Sequence, residues 1–217
     1  MKARRAGVIG ILGLPALLLA GEAAARDVAT PTAQDFATQT AVIDDPSQPH
    51  VLASTHAVAK RGHGWAASRS VEVGPAHLRA HVDRETGTVR WQLWQEITHA
   101  GLAREMTGLR FHADGAPGEA TLAHVERQAE RCPAQDAMVT ACTTRVHYAF
   151  DVPAETVARM GRGAAPMPLA FSDTIGRTFH GAIHPAEVAG IAAVVETLQP
   201  DAAQLASVQL GAGETIR

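Results

Sequence analysis

The chain contains no asparagine, one tyrosine, two cysteines and only two lysines, Lys2 and Lys60. Arginine therefore carries nearly all of its positive charge. Sparse Lys, Tyr and Asn beside abundant Ala, Gly and Arg is the bias a GC-rich genome produces, and it points to no function by itself. Other absences exclude more. No basic run gives the footprint of a nucleic-acid binder. No G-x-S-x-G, S-x-x-K or H-E-x-x-H motif supplies an activated nucleophile or a zinc-peptidase helix. "SDTIG" at 172–176 departs from an aspartic-protease loop because Ile175 displaces the glycine. Gly161-Arg162-Gly163 follows no strand and opens no dinucleotide fingerprint. The cysteines are not a C-x-x-C redox pair. No cofactor is expected.

The chain also lacks an apolar run near the termini of the about 20 residues that a membrane-spanning helix needs. Residues 6–20, AGVIGILGLPALLLA, are broken by Pro15 and preceded by Lys2, Arg4 and Arg5. Small residues follow at Ala23 and Ala25 in an A-x-A pattern. Together these read as a secretory signal peptide over residues 1–25, cleaved after Ala25, which implies a periplasmic or secreted protein. No cysteine follows the run, so a lipid anchor there is not expected. Removing residues 1–25 deletes three basic side chains and Glu22, taking the formal charge from −3 to −5. An acidic protein is a poor electrostatic partner for anionic lipid or nucleic acid. The expected partners are a small ligand or an envelope protein, with no nucleic acid and no membrane span after cleavage.

What is present suits one domain. The 217 residues are 46% apolar and 19% charged, enough for a sizeable core. Residues 26–40 are polar and alanine-rich, and read as a flexible lead-in. One β-rich domain is expected over 41–199, then a loose tail over 200–217. Residues 41–53 read as two short strands around Pro46 and Pro49, and "KRGHG" at 60–64 as a loop.

The clearest local pattern is "AHLRAHVDRETGTVRWQLW" at 76–94. Leu78, Ala80 and Val82 alternate with His77, Arg79 and His81. After the turn, Val89, Trp91 and Leu93 alternate with Arg90, Gln92 and Trp94. A turn at Arg84–Gly87 sets Val82 against Val89, Ala80 against Trp91 and Leu78 against Leu93. A single register then puts every apolar residue on one face, which is strong support for a hairpin. Trp91 belongs to the dry side. Trp94 falls on the polar side, so Trp94→Ala is expected to cost far less stability than Trp91→Ala.

Further strands are expected at 108–114, 119–132, 144–152, 167–173 and 177–184, with Val146, Tyr148, Phe150 and Val152 on one face. Direct pairing of Cys132 with Cys142 would set Glu126 opposite Tyr148. A one-residue shift sets Val125 there instead, and a bulge or an irregular tip is expected to absorb the mismatch. In an oxidising compartment the two cysteines should form a disulfide, worth about 2–3 kcal/mol. Helices are expected at 152–161 and 185–198, the latter with a stripe of Val188, Ile191, Ala192, Val195 and Leu198. The fold class is α+β: an antiparallel sheet or sandwich of about six to eight strands, with a short helix and a C-terminal helix packed on it.

Thr86-Gly87 followed by "TVRWQLW", the Cys132/Cys142 pair, the "HYAFDV" strand with its helix, and the 185–198 helix recur together elsewhere. Across about residues 40–198 the chain resembles uncharacterised small exported proteins of Gram-negative bacteria. The resemblance implies an exported β-rich fold. It brings no assigned activity and no catalytic residues.

The candidate binding face is therefore His77, Arg79, His81, Arg90, Gln92 and Trp94. An aromatic ring beside Arg and His suits an acidic or glycan-like ligand or a protein partner. No catalytic residue and no metal ligand is assigned. The His77/His81 and His180/His184 pairs sit on strands, where residues four apart are separated by about 13 Å. One ion cannot bridge that gap, although a site could assemble from His77, His81 and a histidine on a neighbouring strand. The expected function is non-catalytic binding. A small exported hydrolase and a histidine-based metal binder are the alternatives.

Overall fold

A computed structural model of the chain describes residues 31–62, 66–67, 71–100, 105–113, 115–131 and 143–199. The signal peptide expected over residues 1–25, the tail from 200 and both cysteines of the expected disulfide lie outside the described residues.

Among the described residues, ten strands and four helices run in the order α1 (Ala33–Gln39), β1 (Ala41–Ile43), β2 (His50–Ser54), α2 (His56–Gly62), β3 (Ala66–Ala67), β4 (Val71–Asp83), β5 (Val89–Ala100), β6 (Met106–Ala113), β7 (Ala116–Arg131), β8 (Thr143–Val152), α3 (Ala154–Gly161), β9 (Met167–Asp173), β10 (Thr178–Ile183) and α4 (Pro185–Leu198). The α+β class holds, with more strands than the six to eight expected. All pairings are antiparallel, in the order β1-β2-β4-β5-β8-β7-β6-β9-β10, with β3 on the side of β4.

The hairpin forms in the expected register. Val82 faces Val89, Ala80 faces Trp91 and Leu78 faces Leu93. Asp83 builds the turn by accepting hydrogen bonds from the backbone N–H groups of Glu85 and Thr86 and from the Thr86 hydroxyl. Gly87 closes it at φ 68°, the left-handed region that glycine enters without a Cβ penalty. Asp173 plays the same part in the β9–β10 turn, accepting from Ile175 and Arg177 N–H. The "SDTIG" segment is thus a turn cap. Between β7 and β8, Val125 faces Tyr148, with irregularities at Leu122/His124 and Ala129/Arg131. The one-residue shift is present, with irregular register on both sides of it.

The sheet curls into a half-barrel. Its inner face carries Leu78, Leu93, Ile97, Tyr148, Phe150 and Phe171, all fully buried. Val157 and Met160 of α3 and Val188, Ile191 and Val195 of α4 complete the same cluster. β10 returns close to β4 and β5. A Cβ on Gly181 would stand 2.9 Å from Gln95 Oε1 and 3.2 Å from the Phe171 ring, so a larger residue there would have to displace the end of the Gln95 side chain.

Two stretches differ from expectation. The lead-in is helical over Ala33–Gln39, because Thr32 and Asp35 form a reciprocal capping box and Phe36 is buried. The "KRGHG" stretch begins inside α2. β2 leaves β4 at Ser54, opposite Arg79. Beyond that point Leu78 N–H donates to Thr55 Oγ1 at 2.9 Å and to Glu187 Oε1 at 3.0 Å. These two side chains replace the missing strand partner. They also free the chain at His56 to turn into α2.

Candidate functional site

The outer face of β4 and β5 is where the six candidate residues meet. His77 lies opposite Trp94, Arg79 opposite Gln92, and His81 opposite Arg90. The face is not the wet side of a sheet. His77 is 0% exposed, Gln92 4% and Trp94 5%, while Arg90 is exposed and Arg79 and His81 are half-buried. The expectation of an exposed Trp94 is corrected. Strand alternation separates two faces, but it does not say that only one is covered. Here α2 packs over β4, and β8 extends the polar face on the far side of β5.

The candidates divide into two groups. The first is internally satisfied. Trp94 Nε1–H donates to Gln92 Oε1 at 3.1 Å, and Gln92 Nε2–H donates to Asp151 Oδ1 at 3.0 Å. Arg90 grips Asp151 through both Nε and Nη2, at 3.0 and 2.9 Å. His81 Nε2 sits 3.0 Å from Gln92 Oε1, an acceptor, so Nε2 carries the proton. The Arg79 guanidinium lies 3.7 Å over the Trp94 ring. This cation–π stack makes a frame around Trp94. Burial outweighs the Gln92 bond at His81 and holds its pKa below the usual histidine range. At Asp151, burial pushes the pKa up, but the Arg90 and Gln92 hydrogen bonds prevail and lower it.

The second group centres on His77, whose ring makes no hydrogen bond. His77 is joined by His56 from α2, with ring centroids 4.5 Å apart, and neither His77 ring nitrogen has a hydrogen-bond partner. Its approach to the Pro75 carbonyl falls short of hydrogen-bond geometry. Glu96 of β5 is buried at 2% exposure. Its Oε2 stands 3.8 Å from His56 Nε2 and 3.9 Å from His147 Nε2, both beyond a hydrogen bond. Arg145 Nε lies 3.3 Å from the other oxygen, Oε1. His147 comes from β8, directly opposite Glu96. The His56 and Arg145 side chains are 34% and 31% exposed, so the cluster reaches solvent at its edges. Burial, then the neighbouring His56, Arg79 and His147, hold the His77 pKa well below its ordinary value. Burial likewise lowers His147 despite Glu96 and Glu126 nearby. His77 and His147 are therefore neutral imidazoles at neutral pH.

His56, Glu96, Arg145, His147 and Asp151 were not among the candidates from sequence. Period-two alternation in "TRVHYAFDV" already sets Arg145, His147 and Asp151 on the face away from Val146 and Tyr148. What the sequence does not show is that β8 lies beside β5, because β6 and β7 intervene.

Among the described residues, no three or more His, Cys, Asp or Glu side chains stand as a ready-made metal site. A surface groove of about 480 Å³ lies elsewhere, along β6, β7 and β9 near Gly108, Arg110, Glu119 and Thr121. Among the described residues no helix is long and apolar enough to cross a membrane. The chain matches no family model, no curated protein and no solved structure.

Proposed function

We propose that the chain is an exported, non-catalytic binding protein that takes a small ligand on the polar face of β4, β5 and β8, beneath α2. One observation carries this reading: His77 is fully buried with both ring nitrogens unpartnered. A buried polar group left without a partner costs about 1–3 kcal/mol. That cost is recovered when a ligand supplies the missing bonds. The satisfied Trp94–Gln92–Asp151–Arg90 network supports the reading by holding one wall rigid. Burial of this face under α2 favours a small ligand over a flat protein partner. Export rests on the sequence pattern of residues 1–25.

A thermal-shift screen of the purified chain against metal ions, small carboxylic acids, phosphates and sugars tests the proposal. At least one class should raise the melting temperature, as ligands of the native state do. His77→Phe should abolish that rise while leaving the unliganded chain as stable or more stable. A screen with no shift in any class, or shifts unchanged in His77→Phe, refutes it.

A further inference from the structure

We infer that α2 is an acid-released lid over the polar face of β4, β5 and β8, with the His77 ring as the group that senses the proton. The inference concerns access to this face and does not depend on which ligand it takes. His77 is fully buried where α2 packs on β4. The ring against it is His56, the first residue of α2, with centroids 4.5 Å apart and planes tilted by 35°. On its other neighbour strand, β5, the Trp94 ring stacks at 6.2 Å and 29°. One imidazole is thus closed between a helix and an indole. The chargeable groups that act on it are His56 of α2, Arg79 of β4 and His147 of β8, all of them bases. Arg79 is already a cation, held 3.7 Å over Trp94. The carboxylates of the cluster act on other groups. Glu96 of β5 stands 3.8 Å from His56, 3.9 Å from His147 and 3.3 Å from Arg145 of β8. Glu126 of β7 acts on Arg79 and His147. Of the remaining histidines on this face, His124 of β7 meets Trp94 and His81 of β4 meets Gln92. A proton on His77 would therefore sit in a dry place among bases, which favours the neutral ring while the lid is shut.

α2 is the element built to yield. Its seven residues are too few to stay helical without packing. Val58 and Ala59 hold it down, at 2% and 1% exposure. Its leading end is anchored where acid does not loosen it. Thr55 N–H donates to the Leu78 carbonyl at 3.1 Å, and the Thr55 hydroxyl bonds Glu187 of α4. Burial raises the Glu187 pKa to about 7, so this carboxyl keeps its proton as pH falls and the hinge at Thr55 holds. Beyond the hinge the balance runs the other way. An uncovered His77 takes a proton near the ordinary value of 6.5, which the covered ring refuses. Closure of α2 is therefore fully favoured above pH 6.5 and is lost as pH falls below it. Acid lifts α2 and opens the polar face to solvent.

Hydrogen exchange of the full chain tests the lid, with each amide compared with its unstructured rate at the same pH. The reporters are the Val58 and Ala59 amides, which bond the Thr55 carbonyl at 3.0 and 3.1 Å. Their protection should fall about tenfold between about pH 6 and about pH 5, as one histidine protonating only in the open state requires. Protection at residues 91–94 of β5 should hold over the same range. In His77→Phe the fall at Val58 and Ala59 should vanish. If that variant does not fold, His77→Leu reads the same loss with a smaller side chain. Protection of α2 that ignores pH in the wild-type chain, or that falls equally in the His77 variants, overturns the inference. Parallel loss at residues 91–94 overturns it as well, because the whole sheet would then be opening.

Discussion

At the residue scale, burial decides what each polar side chain can do. Trp91 and Trp94 point to opposite faces of β5, yet both are buried, at 8% and 5% exposure. The expected contrast between them therefore disappears. Trp91→Ala and Trp94→Ala should each cost about 3–5 kcal/mol in urea unfolding, the range for a buried aromatic. A Trp94→Ala cost under about 1 kcal/mol would show that its face is wet. Glu187 makes the second case. Burial raises its pKa from 4.5 to about 7, against the opposing hydrogen bonds from Thr55 and Leu78. The folded chain then keeps a proton that the unfolded chain releases. Its contribution to stability is complete below pH 4.5 and is lost as pH rises through about 7. Glu187→Gln keeps the Oε1 acceptor and cannot ionise. Relative to wild type, it should gain about 3 kcal/mol between mildly acidic and mildly alkaline pH. Parallel stability curves for the two proteins would mean that Glu187 does not titrate in this range.

At the element scale, two long-range ties run through α4. Glu187 bonds it to the broken edge of β4, and Gly190 seats it against α1. A Cβ on Gly190 would fall 2.4 Å from Phe36 Cβ and 2.6 Å from the Ala33 carbonyl oxygen. Gly190→Ala should therefore push α1 off α4 and lower stability by about 1–3 kcal/mol, despite alanine's better helix propensity. Hydrogen exchange localised to residues 33–39 would register the displacement, and unchanged protection there would contradict the packing. Elements set by local pattern were legible in sequence. The 76–94 hairpin needed only period-two alternation and a turn, and α4 only its apolar stripe. The seven-residue helices α1 and α2 escaped because so short a helix is held by packing and caps more than by propensity. The Val125/Tyr148 register was readable because one of two shifts matched apolar to apolar.

At the scale of the whole molecule, the curl of the sheet gives it two covered surfaces. The inner one is an apolar core closed by α3 and α4, and its hairpin and β8 members were recognisable from alternation. The outer one is a polar face lying beneath α2. Half of the candidate site was legible there, because the hairpin register aligns His77, Arg79, His81, Arg90, Gln92 and Trp94. The other half depends on β8 pairing with β5 after two intervening strands, and on α2 folding back over β4. Neither leaves a local mark in the sequence. The central claim is that this outer face is dry and holds His77 as an unpartnered neutral ring. Ring-nitrogen NMR of His77 through an acid titration tests it most directly. The account predicts neutral-imidazole signals that persist well below the ordinary histidine value of 6.5 and shift when the ligand binds. A ring that titrates at an ordinary midpoint near 6.5, as a solvated histidine does, would contradict it.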